Sequence, residues 1–155
     1  MALRENLLPI VKDKASRSKL DYRLVDAIVK TESNYDIYAV RYEPKFSSNV
    51  ISEKYAKINA TTNLTEQQLQ KFSWGLCQIM GATARWLGFQ GPLPYLCEPN
   101  TNLIWGCRYL AKLKNEYGTL EYIISAYNQG SIRRLEDGKF SNQAYVDKVL
   151  SNFAP

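Results

Sequence analysis

Apolar positions recur along this chain mainly at helical spacing. Leu7, Ile10, Val11 and Ala15 fall on one side of a segment from Leu3 to about Ser18, which predicts a first helix. Pro9 either kinks that helix or delays its start. Asp21 stands where it can cap a second helix, Tyr22 to about Ser33, with Leu24, Val25, Ile28 and Val29 as its apolar positions. Period is then lost. Residues 34 to 64 hold Pro44, Ser47, Ser48, Asn49, Asn59, Thr61, Thr62 and Asn63. They read as a long irregular surface insertion, with a short helix near Ile51 to Ile58 and room for a small hairpin within 38 to 64.

Thr65 with Gln68 three residues on forms a capping box, which predicts a helix start there. Helical character is expected again over Trp74 to Met80 and over Thr83 to Leu87. Gly88, Gly91, Pro92 and Pro94 mark a loop. Pro99 or Asn100 opens a long helix to Tyr117, closed by Gly118. Thr119 caps the next helix, in which Leu120, Ile123, Ile124 and Tyr127 make one apolar face before Gly130 ends it. Asn142 or Gln143 to Phe153 makes the last helix, with Val146, Val149, Leu150 and Phe153 inward. No period-two run is long enough to define a strand. The expected fold is therefore all-α or α-dominated, a single domain across all 155 residues.

Composition narrows the chemistry. The chain is 45% hydrophobic and 23% charged, the balance of a folded globule. It has no histidine, which excludes Ser-His-Asp and Cys-His catalysis and any His-containing zinc site. A general acid or base must then be a carboxylate, Lys, Tyr or Cys. Twenty Lys and Arg against fifteen Asp and Glu leave a net charge of +5. That favours an anionic partner: nucleic acid, an anionic membrane face or bacterial cell wall. Apart from Arg133 and Arg134 the basic residues are scattered, which counts against nucleic acid. Cys77, Cys97 and Cys107 form no CxxC and read as buried reduced thiols. No apolar run approaches the roughly 18 residues of a membrane span. Arg4, Glu5, Lys12, Asp13 and Lys14 interrupt any apolar leader, so no signal peptide is expected and synthesis in a cytosol follows. No metal or other cofactor is expected, and the chain should be a monomer.

Three places carry candidate chemistry. Glu32 shares the stripe of Val25, Ile28 and Val29 and sits at the end of its helix. Partial burial and the negative end of the helix dipole would both raise its pKa, as a general acid near neutral pH requires. A Glu at that position can equally swing out to water. In residues 73 to 89, Gly75 allows close approach of a backbone or ligand. Gln78 is polar in an apolar run, so its amide needs partners, which a sugar hydroxyl or acetamido group could supply. In residues 125 to 130, Tyr127 extends an apolar helix face, while Asn128 and Gly130 lie at the helix end and could serve only as a C-cap.

Taken together and in order, these segments resemble the lytic transglycosylases of the goose-type lysozyme-like fold. The matching residues are Glu32-Ser33, then Gly75-Leu76-Cys77-Gln78-Ile79-Met80 with Thr83-Ala84 behind it. Asn102 and Gly106-Cys107-Arg108-Tyr109-Leu110 follow, then Ala126-Tyr127-Asn128-Gln129-Gly130, and finally Tyr145 with Val149. The resemblance runs from about Leu20 to Leu150. It implies a lysozyme-like fold and cleavage of peptidoglycan glycan between N-acetylmuramic acid and N-acetylglucosamine. Glu32 would be the single catalytic acid and base. Ser33 would help orient it or the substrate's acetamido group. Gln78 and Met80 would line subsites near the scissile bond, Tyr127 and Asn128 would face the reacting sugar, and Tyr145 would hydrogen-bond near Glu32 and set its pKa.

The sequence departs from that family at Cys77, usually Met, and at Gly81, usually Pro. The larger departure is the insertion between Glu32 and Gly75, with Arg41, Glu43 and Lys45, where many members run directly on. It could form part of the glycan groove or bring a second acid, Asp36 or Glu43. A second carboxylate holding water would make a muramidase instead of a transglycosylase. A non-catalytic module binding cell wall or nucleic acid is the remaining alternative. Small size and the absent leader suggest a phage endolysin or a virion-borne domain acting on the wall.

Overall fold

The computed structural model describes residues 4–153. Helix α1, Arg4–Arg17, buries Leu7, Val11 and Ala15 and runs through Pro9; its expected start at Leu3 lies outside the described residues. Helix α2, Tyr22–Ser33, begins at the Asp21 cap, whose carboxylate accepts from the Arg23 backbone N–H at 2.9 Å. It buries every residue from Leu24 to Val29. That run includes Asp26, which is matched by Arg4 at 2.7 Å and by the Tyr35 hydroxyl at 3.1 Å. Asn34 stops the helix in the left-handed region, φ +49°, and its N–H reaches back to Lys30 O.

Strand β1, Val40–Tyr42, follows, then α3, Ser52–Ile58, and α4, Asn63–Leu69. Strands β2, Phe72–Trp74, and β3, Ile79–Met80, come next, then α5, Gly81–Trp86, and a single 3₁₀ turn at Leu93–Cys97. Helices α6, Pro99–Tyr117, α7, Leu120–Gln129, and α8, Gln143–Asn152, complete the chain. Helices α1, α2, α6, α7 and α8 enclose the main core, with Ile28, Val29, Leu103, Leu110, Ile124 and Val146 fully buried. A smaller core of Trp74, Ile79, Ala84, Phe89, Leu93 and Leu96 lies under the sheet. Each such aliphatic side chain contributes about 1.5–3 kcal/mol on burial. Among the described residues no helix is long and apolar enough to cross a membrane.

The α-dominated, lysozyme-like expectation holds, with three corrections. The small hairpin allowed for within 38 to 64 does not close there: β1 lies in that segment but pairs with β2 beyond it, so that β1, β2 and β3 form one antiparallel sheet, with Arg41 opposite Ser73 and Ser73 opposite Met80. Residues 74 to 80 are not helical. They are a strand end, a tight turn and a second strand, with Gly75 at φ +65° and Gln78 at φ +47°. Two left-handed residues in four break any helix. The capping box at Thr65 is also displaced. Thr62 is the cap and accepts from the Thr65 N–H at 3.1 Å, which lets the helix start at Asn63 and turns Glu66 inward.

That inward turn makes the insertion less irregular than expected. Glu66 and Arg85 form a fully buried ion pair at 2.7 and 3.0 Å. Gln70 donates to the same Glu66 oxygen, and Arg85 also donates to the Phe89 and Gly91 carbonyls at 2.8 and 2.7 Å. The Tyr55 ring of α3 covers the guanidinium at 4.6 Å. A buried charge is tolerated only when paired and hydrogen-bonded throughout, and here both partners are. All three cysteines are free, with Cys77 and Cys107 buried as expected and Cys97 only half-buried.

Candidate active site

Glu32 occupies the last turn of α2, where the buried stripe of that helix reaches a cleft of about 420 Å³. The residue is half-buried. Burial raises its pKa above the ordinary carboxylate value; a hydrogen bond from Tyr145 and the charges of Arg41 and Lys148 pull the other way without cancelling the rise. The negative end of the helix dipole acts in the same direction as burial. Tyr145, on α8, donates its hydroxyl to Glu32 Oε1 at 2.5 Å. Burial and the facing carboxylate push that phenol far up, so it stays a donor.

The cleft brings together five of the residues expected at the site: Glu32, Gln78, Met80, Tyr127 and Asn128. Tyr145 reaches it through Glu32. Ser33 does not line it. Its hydroxyl bonds back to Val29 O at 3.1 Å within the same helix, so an orienting role toward Glu32 or a sugar has no support from this geometry. Asp36 also stays off the cleft and accepts from the Tyr38 N–H at 3.0 Å. Glu43 does line it, in an ion pair with Arg41 at 2.5 Å.

Gln78 satisfies its amide differently from the sequence expectation. Its NH₂ donates to Ala39 O at 2.9 Å and to Gly75 O at 3.0 Å, tying the turn to the chain just before β1. What remains for a ligand is the acceptor Oε1. Gly75 likewise makes room for protein and not for a ligand. A Cβ there would stand 2.5 Å from the Asn102 amide and 2.7 Å from Leu96 O.

Asn102 explains why. It is fully buried on α6, accepts from the Cys77 N–H at 2.8 Å and donates to Trp74 O and Leu96 O at 2.7 Å each. Tyr127 closes the same turn from the other side, donating its hydroxyl to Cys77 O at 2.7 Å. Both polar groups bracketing Cys77 are thus held, which fixes Gln78 and Met80 beside Glu32. Gly106 allows this approach, since a Cβ on it would lie 2.6 Å from Cys77 Sγ. Asn102 had no role assigned from sequence. Its signal was its place in the matched run, an Asn one helical turn before Gly106.

Tyr127 therefore presents its ring to the cleft, tilted at 43° against Tyr109 with centroids 5.3 Å apart, and its hydroxyl is already engaged. Asn128 is exposed, and its Oδ1 accepts from Asn142 Nδ2 at 3.0 Å. Asn142 also bonds Ser125 and Gln129, so the end of α7 is braced against the start of α8. Gly130, at φ +77°, is the C-cap, and Asn128 lies within the helix. Among the described residues no group of three or more His, Cys, Asp or Glu is placed to hold a metal ion.

Fold and site together define a helical, lysozyme-like domain with an acidic residue of raised pKa in its cleft. The chain belongs to the transglycosylase SLT domain family, whose family model matches residues 9–148. It is 30% identical over 139 residues to the membrane-bound lytic murein transglycosylase C of Haemophilus ducreyi, a match covering 80% of this chain and 30% of that protein. The chain thus spans less than a third of the length of that curated relative. No solved structure matches the chain.

Proposed function

We propose that this protein is a peptidoglycan lytic transglycosylase, cleaving the β-1,4 bond between N-acetylmuramic acid and N-acetylglucosamine through Glu32 alone. The observation that carries this reading is Glu32: half-buried in the cleft, raised in pKa, with one carboxyl oxygen bonded to Tyr145. Because Tyr145 donates to Oε1, the acid proton belongs on Oε2. Glu32 gives that proton to the glycosidic oxygen, and the bond from muramic C1 to that oxygen breaks. The leaving sugar departs with a free 4-hydroxyl. The 2-acetamido oxygen of the muramic acid stabilises C1 in place of a second carboxylate. Glu32, now a carboxylate, takes the proton of the same sugar's 6-hydroxyl, whose oxygen bonds to C1. The product is a 1,6-anhydro end, the acid is regenerated and no water is consumed.

Glu43 gives a water-using muramidase its one foothold, since it lines the same cleft. Its pairing with Arg41 favours a structural over a water-activating role. Mass analysis of the products from purified peptidoglycan separates the two readings. The transglycosylase yields muramic ends lighter by one water than those of a hydrolase, and products all at hydrolysed mass would overturn it.

Tyr145→Phe gives a second test. The phenol stabilises the charged carboxylate, so removing it raises the Glu32 pKa further. Activity needs the protonated acid and falls as pH rises through that pKa. The alkaline limb of the kcat/KM profile should therefore move to higher pH in Tyr145→Phe, with a lower plateau because Glu32 loses its positioning contact. A limb that stays put or moves to lower pH would remove Tyr145 from this role.

A further inference from the structure

The insertion between α2 and β2 builds one wall of the cleft. Arg41 and Lys45 both line the space that Glu32 faces, and among the described residues Lys45 forms no ion pair. Phe46 then turns a corner. It lines the Glu32 cleft and also a second hollow of about 380 Å³. That hollow belongs entirely to residues 46 to 71 and is walled mostly by hydroxyl and amide side chains, with Val50 and Lys71 also in its lining.

Part of this polar wall is committed internally. Gln70 donates to Glu66 at 3.1 Å and accepts from Ser48 at 3.0 Å, and Gln68 Oε1 accepts from Tyr42 at 3.2 Å. Gln67 makes no side-chain hydrogen bond among the described residues, and Lys71 makes no ion pair. The path leading away from Glu32 is therefore a cation, a phenyl corner, a set of amides and hydroxyls, and a second cation. A short peptide bearing carboxylates has the matching order of groups: amide bonds that exchange hydrogen bonds with Ser and Gln side chains, and anions for Lys45 and Lys71. A sugar chain offers hydroxyls to such a wall but no regularly placed anion that would reach Lys71.

The geometry points to a binding site for the acidic stem peptide of peptidoglycan, running from Lys45 past Phe46 to Lys71. It rests on the reading of Glu32 as the residue that cuts the glycan, because the stem hangs from the lactyl group of the muramic acid placed there. Glycan stripped of its stems keeps a carboxylate at each lactyl group, within reach of Arg41, but nothing that enters the second hollow. The insertion then selects for peptide-bearing over stripped glycan, and for free over amidated stem carboxylates.

The test compares kcat/KM on peptide-bearing glycan with that on the same glycan freed of stems by an amidase. The wild type should prefer the peptide-bearing form by about tenfold, the size of one or two charge-assisted hydrogen bonds in a partly solvated site. Lys45→Gln with Lys71→Gln should shrink that ratio to about twofold or less, whatever happens to the rates themselves. Equal wild-type rates, or a ratio that the double variant leaves alone, would overturn the site. Calorimetric titration of the Glu32→Gln protein with a soluble muramyl peptide, free or amidated at its carboxylates, reads binding without cleavage. If wild type cuts neither glycan but the free peptide binds in a Lys45- and Lys71-dependent way, the catalytic reading falls and the peptide site stands. If cleavage occurs and the muramyl peptide does not bind, the peptide site falls alone.

Discussion

Replacing Glu32 with Gln is expected to lower the rate of glycan cleavage by about a hundredfold to ten-thousandfold, the range of a lost general acid. Gln keeps the length of the side chain and still offers Tyr145 an oxygen to donate to, so the cleft retains its shape. What is lost is the proton on the second oxygen. Loss of turbidity from a cell-wall suspension measures the effect, and equal rates in the two proteins would sink the assignment. Stability should move the other way. The folded state raises the Glu32 pKa, so the native protein holds a proton that the unfolded chain has released over the window between the two values. Stability then falls as pH rises through that window and stays lower above it. The neutral Gln escapes this penalty, so the variant should be at least as stable as wild type at neutral pH. An inactive but unfolded variant would be visible at once in a thermal melt.

The second large effect is expected far from the acid. Glu66→Ala leaves Arg85 as an unpaired charge in a fully buried position. Removing one member of such a pair costs about 3–5 kcal/mol, a large share of the stability of a small domain. The midpoint of urea unfolding should fall by roughly 1–3 M. Replacing both members, Glu66→Leu with Arg85→Met, should cost less than the two single changes combined. It should still cost something, because the Phe89 and Gly91 carbonyls lose their donor. A loss below about 1 kcal/mol in Glu66→Ala would show the charge to be solvated in a way the packing does not suggest. The pair matters to the site because it fastens α4 to α5, and α5 begins directly after Met80 and carries Thr83 into the cleft. Weakening it should loosen the wall that faces Glu32.

These two residues differ in how legible they were. Glu32 could be placed from the helical stripe of α2, because a carboxylate at a fixed offset from buried Val25, Ile28 and Val29 has its face set by local geometry. The raised pKa needs the side chain turned inward as well, and that burial is shown only by the structure. Glu66 carried no such signal, lying between the Thr65 and Gln68 of the apparent capping box. Its burial depends on Arg85, nineteen positions along the chain, and no local rule links the two. The same holds for Asn102, whose three backbone contacts come from residues 74, 77 and 96. Ser33 shows the reverse case. It sits next to Glu32 in sequence, yet the helical turn aims its hydroxyl back at Val29 O.

What the sequence determined by itself was what repeats locally: the helices α2, α6, α7 and α8 nearly to their ends, the α-dominated class, and the place of the Glu32 carboxylate at the end of α2. Apolar spacing and end caps act within a few residues, so they can be read in order along the chain. Only the tertiary structure decided the turn from Gly75 to Met80. There the Cys77 N–H and C=O are taken by Asn102 and Tyr127, and that clamp overrides a run of residues with helical character. It likewise decided that the insertion folds back as a sheet edge, with Arg41 to Phe46 along the cleft, while the short helix near Ile51 to Ile58 was readable from the sequence. A side chain's partner across the chain is set by packing, and packing is a property of the whole arrangement that no window of sequence contains.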